Sequence, residues 1–237
     1  MRNLVFWLSL PWVLPQALWV RRRTPRFSGP AGELHGAFGA LPQQRIVGIG
    51  DSIIAGVGAR IPSQTITAQL AEHWQQETGF DTQWRAYGKI GARIERINSI
   101  AESLEHDDQV ALVLISTGVN DITSLTAVDE WITALASLVT TVQQRYPHAR
   151  IALLGIPPLE YFPALPNPLK QILGWRGADY DRAARQYAEN QSRIFYVPIN
   201  IQPKPDEFSD DGFHPSAASY AALAREVTRV CRHPARS

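Results

Sequence analysis

The sequence predicts an α/β domain built on a five-stranded parallel sheet with helices on both faces. Short β-branched runs alternate with segments of helical period from about residue 45 to about residue 232. Strands that alternate with helices argue for βαβ units. Residues 110–115 (VALVLI) are apolar throughout, as a strand covered on both faces is.

The elements follow in order. Residues 45–49 (RIVGI) read as the first strand. A helix over 66–74 places Ile66, Leu70 and Trp74 on one face. Residues 82–87 read as the second strand, and Ile94, Ile97, Ala101 and Leu104 mark the next helix. The third strand is 110–115. Val128, Trp131, Ile132, Leu135, Leu138, Val139 and Val142 give the clearest amphipathic helix. Residues 150–156 form the fourth strand, 179–190 a helix, 194–197 the fifth strand. Tyr220, Leu223, Val227 and Val230 mark the last helix. Right-handed crossovers then leave few topologies, and a site is expected beyond the carboxyl ends of the strands.

Composition narrows the function classes. A chain of 237 residues with 45% hydrophobic residues builds a core without a disulfide or metal staple. Cys231 is the single cysteine, so no intramolecular disulfide forms and the redox compartment stays open. There is no CxxC and no His-Glu-x-x-His, so neither a metal nor another cofactor is expected. Gly48 and Gly50 begin a dinucleotide fingerprint that Ile53 breaks, and no P-loop occurs. Five arginines and no acidic residue fall within residues 1–26. The rest holds 18 basic and 22 acidic residues, a mildly acidic domain that does not read as a nucleic-acid binder.

Residues 4–20 are an uncharged apolar run containing Trp7, Trp12 and Trp19, followed by Arg21, Arg22, Arg23 and Arg26. A cleaved signal peptide lacks its small-x-small site here. A helix packed on the domain is one alternative. A membrane anchor over residues 1–23 fits the tryptophans and the arginine flank best, and those arginines favour a cytoplasmic catalytic domain. Residues 24–44, with Pro25, Pro30 and Pro42, read as a linker, 45–232 as the catalytic domain and 233–237 as a tail.

Three short motifs carry chemistry. Gly50-Asp51-Ser52 follows the first strand directly, where a nucleophile would stand; alone, it is also what a turn with an N-cap serine looks like. Gly118-Val119-Asn120-Asp121 follows the third strand, where the Asn120 amide can donate to a developing oxyanion or simply form a turn. Asp211-Gly-Phe-His214-Pro215 precedes the last helix. A carboxylate three residues from a histidine in a tight turn can fix the imidazole tautomer and leave the other nitrogen free for a serine proton. Asp51 reads as a brace for its loop and Asp210 as solvated. His35, His73, His106, His148 and His233 show no partner pattern. Lys89 and Arg93 read as solvated charges that could also meet an anionic substrate. The proline-rich stretch 157–169 is either a stiff connection, a membrane-contacting surface or the wall of an acyl pocket.

Together these motifs resemble the SGNH hydrolases, a branch of the GDSL lipases and esterases, over residue 45 to the last helix. The resemblance implies a flavodoxin-like three-layer α/β/α sandwich with a five-stranded parallel sheet. It implies Ser52 as nucleophile, with Asp211 and His214 completing the triad. The oxyanion hole would be formed by the Ser52 N–H, the Asn120 amide and a glycine N–H after the second strand, Gly91 or, failing that, Gly88. The implied activity is hydrolysis of acyl esters, lipid-derived ones among them, through an acyl-enzyme. Acyl transfer, thioester cleavage and carbohydrate deacetylation use the same groups, and a non-catalytic binding protein on this fold is the alternative from another class.

Overall fold

The computed structural model of the chain describes residues 15–17, 19–20, 28–200 and 204–232. Its strands are β1 (His35–Phe38), β2 (Gln44–Gly50), β3 (Thr82–Gly88), β4 (Val110–Ser116), β5 (Arg150–Leu154) and β6 (Ile194–Val197). They form one six-stranded sheet in the order β1-β3-β2-β4-β5-β6. All neighbours are parallel except β1, which runs antiparallel to β3. Around it lie α1 (Ile66–Thr78), α2 (Ile94–Glu102), α3 (Val119–Thr123), α4 (Val128–Arg145), α5 (Leu169–Glu189) and α6 (Ala217–Arg232).

The period of two along each strand sorts its side chains into two cores. Val47, Ile49, Val113, Ile115, Ile151 and Leu153 pack with Ile97 of α2, Trp131 and Leu138 of α4, and Tyr180 of α5. Ile46, Leu112, Leu114, Ala152 and Leu154 point the other way, against Leu70 and Trp74 of α1 and Tyr220 and Val227 of α6. Both faces of the sheet are therefore covered, which is the three-layer sandwich the alternating pattern implies.

The structure corrects three expectations. The sheet has a sixth strand, and it is antiparallel. β1 lies within the stretch read as a linker, and residues 29–41 pack closely on the domain. A Cβ added to Gly29 would stand 2.2 Å from the Ala55 carbonyl oxygen. The Leu34 carbonyl accepts from Ala86 N–H at 2.8 Å, and Leu41 N–H donates to Asp81 Oδ2 at 2.9 Å. A four-residue edge strand containing Gly36 is too short to show a period, so composition alone reads as a linker. Finally, α5 begins at Leu169 rather than at 179. Its glycines hid it: a Cβ on Gly174 would meet the Glu160 carboxyl at 2.5 Å, so helix propensity gives way to close packing against the 3-10 turn Leu159–Tyr161.

The expected membrane anchor lies largely outside the described residues. Among them, Ala17 and Val20 pack against the core, Leu169 N–H donates to Gln16 Oε1 at 3.3 Å, and no helix is long and apolar enough to cross a membrane. A membrane role for this segment gains no support.

Candidate active site

The register brings three loops to one level. Gly50, the last residue of β2, pairs with Gly88 of β3 on one side and Ser116 of β4 on the other. The chain goes from β2 out to β3, then crosses back to β4. The strand order thus reverses between β2 and β4, where a crevice opens at the carboxyl ends. Ser52 leaves β2 into that crevice, Gly91 follows β3, and Asn120 follows β4 in the first turn of α3.

Asp51 sets the serine loop. It is buried, and its Oδ1 accepts from Ile53 N–H at 3.1 Å and from the Ser116 hydroxyl at 3.0 Å. Burial pushes its carboxyl up to about 6 against the opposing pull of those bonds. It is a brace tying the loop to β4, as its position beside Ser52 suggests.

In the Asp211–His214 turn both carboxylate oxygens of Asp211 are tied. Asp211 Oδ1 accepts from the Ser209 hydroxyl, Phe213 N–H and His214 N–H, each at 2.8 Å. With its proton on Nδ1, the His214 ring donates to Asp211 Oδ2 at 2.6 Å. Nε2 then accepts from the Ser52 hydroxyl at 2.9 Å. Burial works to raise the Asp211 carboxyl, but the bonds from the ring and the two backbone N–H groups outweigh it and hold it near 2. The carboxylate is therefore ionised at neutral pH, and it fixes both tautomer and ring plane.

Two contacts hold this turn against the serine loop. Tyr220 of α6 donates its hydroxyl to the Val57 carbonyl at 2.6 Å. Gly58 has φ +97° and sits so close that a Cβ would stand 2.3 Å from the Pro215 carbonyl oxygen, so no larger residue fits. From the far side, Ala164 N–H donates to the Gly212 carbonyl at 3.1 Å, and Phe162 meets Phe213 edge-on at 5.0 Å between centroids. The proline-rich stretch thus braces the turn and, through Pro157 and Phe162, also walls the crevice.

The facing side is built from β3 and β4. Asn120 Nδ2 donates one proton to the Ala92 carbonyl at 2.9 Å, and a primary amide keeps a second for the crevice it lines. Next to it, buried Asp121 accepts from Ile94 N–H at 3.1 Å, so consecutive side chains clamp the loop that carries Gly91. Burial raises the Asp121 carboxyl to about 6. Gly91 lines the crevice with φ +73°; among the described residues neither its N–H nor that of Ser52 has a hydrogen-bond acceptor. Gly88 is placed elsewhere: a Cβ there would lie 2.0 Å from Ala55 N, against the back of the serine loop. Of the two glycines, only Gly91 is brought to the crevice.

The crevice has a volume of about 410 Å³, within the range of small-molecule sites. Ile90, Val119, Pro157, Phe162 and Phe213 give it an apolar wall beside Ser52 and His214. Among the described residues no cluster of His, Cys, Asp or Glu could hold a metal ion. Asp210 is exposed and is not among the residues that line the crevice. Ser209 and Gly58 were not singled out in the sequence, and Tyr220 was read only as part of the last helix's apolar face. Ser209 carried a signal, a hydroxyl two residues before the carboxylate it meets; the other two act through contacts distant in the chain.

Residues 49–222 match the family model described as GDSL-like lipase/acylhydrolase family, well over half of the chain. The chain belongs to that family, and is an ester-hydrolysing enzyme. No curated protein matches the sequence. Solved structures do. The lipase Lip_vut3 from a goat rumen metagenome is 15% identical with a TM-score of 0.66, over 79% of this chain and 97% of its own. The acetylxylan esterase Axe2 from Geobacillus stearothermophilus is 19% identical, with a TM-score of 0.60 over 83% and 98%. TesA is 24% identical, with a TM-score of 0.58 over 79% and 97%. At these identities the likeness is one of fold.

Proposed function

We propose that the protein hydrolyses carboxylic esters by two-step acyl transfer on Ser52. The observation that carries this reading is the unbroken relay from the Ser52 hydroxyl through His214 to Asp211. His214 Nε2 takes the Ser52 proton as Oγ attacks the ester carbonyl carbon. The carbonyl oxygen becomes an oxyanion facing the N–H groups of Ser52 and Gly91 and the free amide proton of Asn120, donors worth about 3 kcal/mol each. His214 then gives its proton to the departing alcohol, leaving an acyl-Ser52. Water, deprotonated by the same nitrogen, attacks the acyl carbon and releases the acid. The apolar wall suits an acyl or alkyl group of modest size. Acyl transfer to another alcohol would follow the same path with a different second nucleophile.

Hydrolysis of p-nitrophenyl esters from acetyl to palmitoyl by the full chain tests this. Turnover is expected at short and medium lengths, falling by about 10⁴-fold or more in Ser52→Ala, together with fluorophosphonate labelling of Ser52. Folded protein with neither turnover nor labelling would overturn the reading.

A further inference from the structure

A second depression of about 460 Å³ adjoins the crevice and shares Ile90 and Gly91 with it. Lys89, Arg93 and Arg96 line it, all exposed, with Glu95 as its one acidic side chain. Arg93 lies 3.7 Å from Glu95, whereas among the described residues Lys89 and Arg96 have no ion-pair partner. Asp121, the carboxyl below, is buried; its Oδ1 accepts from Ile94 N–H and its charge also faces Arg93, which leaves Lys89 and Arg96 as the less compensated cations.

Stability does not explain this arrangement. Arg93 is the N-cap of α2 and Arg96 its third residue. Cations there oppose the positive end of the helix dipole, and like charges three apart on one face repel. The turn does hold carboxylates, Glu95 within it and Asp121 accepting from Ile94 N–H, but neither of the two arginines serves the dipole. A local rule broken beside a reactive centre marks a site where charge serves a ligand. The domain from residue 27 onward is net acidic, with 18 basic against 22 acidic residues, so this positive rim is a local feature.

We infer that the substrate carries an anionic group, a carboxylate, phosphate or sulfonate, on the part that extends past Gly91, and that Lys89, Arg93 and Arg96 receive it. The inference rests on the ester-hydrolase reading above and names the substrate class of that site. In that reading the ester carbonyl faces the Gly91 N–H, and the cation-lined depression shares Gly91 with the crevice, so a part of the substrate that extends past Gly91 enters it. Exposed cations contribute modestly one by one and are screened by salt.

The test compares matched esters at low ionic strength: p-nitrophenyl butyrate against mono-p-nitrophenyl glutarate, and phenyl butyrate against 4-sulfophenyl butyrate. The first pair puts the charge on the acyl half, the second on the alcohol half. One anionic member is expected to exceed its neutral partner about tenfold in kcat/KM, mainly through KM. That ratio should fall towards one in the triple variant Lys89→Gln, Arg93→Gln, Arg96→Gln, and in 0.5 M salt. Which pair responds assigns the rim to the acyl or the alcohol side. Equal rates in both pairs, or a preference that survives the triple variant, overturns the inference while leaving the hydrolase standing. Absence of both ester turnover and fluorophosphonate labelling overturns the hydrolase and the inference with it.

Discussion

The two sides of the crevice are built on different terms. On the His214 side every lone-pair position that matters is filled from within a few residues: one carboxylate collects four hydrogen bonds from Ser209, Phe213 and His214. On the Gly91 side the donors stand open, and the loop bearing them is held from a neighbouring element by Asn120 and Asp121. In the proposed mechanism one side holds a fixed proton relay, which suits a side closed upon itself. In the same mechanism the other accepts an oxygen whose charge exists only during reaction, which suits donors that are placed and left unpaired.

Breaking the closed side should cost most. Asp211→Asn keeps the turn's shape but removes the charge that fixes the His214 tautomer, and a loss of about 10³- to 10⁴-fold in kcat is expected with the fold retained by circular dichroism. Asn120→Ala removes one donor and one tether from the open side. Its expected loss is about 10²- to 10³-fold in kcat with KM little changed; a loss confined to KM would show that the amide binds ground-state substrate instead.

The brace below Ser52 sharpens the contrast through pH. Asp51 is raised to about 6 from an unfolded value near 3.8, so the native state binds the extra proton between those values. Wild-type stability therefore falls as pH rises from about 4 to 6 on account of this group. Asp51→Asn cannot titrate, so relative to wild type it should gain about 2 kcal/mol between pH 4 and pH 7 in urea melts. An unchanged difference across that range would mean the carboxyl titrates normally. Asp211, held near 2, acts with the opposite sign: its contribution is full above the unfolded value and is lost as pH falls towards 2.

The smallest effect is expected where the two sides are joined. Tyr220→Phe deletes the bond to the Val57 carbonyl and should cost about 1 kcal/mol of stability, with less than a tenfold change in kcat. A larger loss of rate than of stability would show that the bond sets the distance from Ser52 to His214.

What the sequence revealed follows the same division. Asp211 and His214 lie three residues apart, so their partnership is a local pattern that the chain displays by itself. Ser52 and Asn120 were legible because each follows an apolar strand, and the register then set them level. Gly91 and Gly88 could not be told apart from spacing: what separates them is the contact of Gly88 with Ala55, remote in sequence. β1 and the first half of α5 stayed hidden for a related reason. Gly36 and Gly174 weaken local propensity, and what they give in return is close approach to Trp84 and Glu160, which no local pattern contains. The apolar stretch 157–169 left three uses open; Pro157 and Phe162 line the crevice as a wall would, and Phe162 against Phe213 shows that the same stretch also braces His214's turn.

The antiparallel strand at the sheet margin has a practical consequence. β1 occupies the outer hydrogen-bonding positions of β3 from Thr82 to Arg85. A chain shortened to begin at residue 45 would leave that row of N–H and C=O groups bare beside the exposed Phe80. Bare strand edges template the pairing of one molecule with the next. Such a shortened enzyme would be expected to self-associate and precipitate at concentrations where the longer chain stays dispersed, even with every catalytic side chain in place.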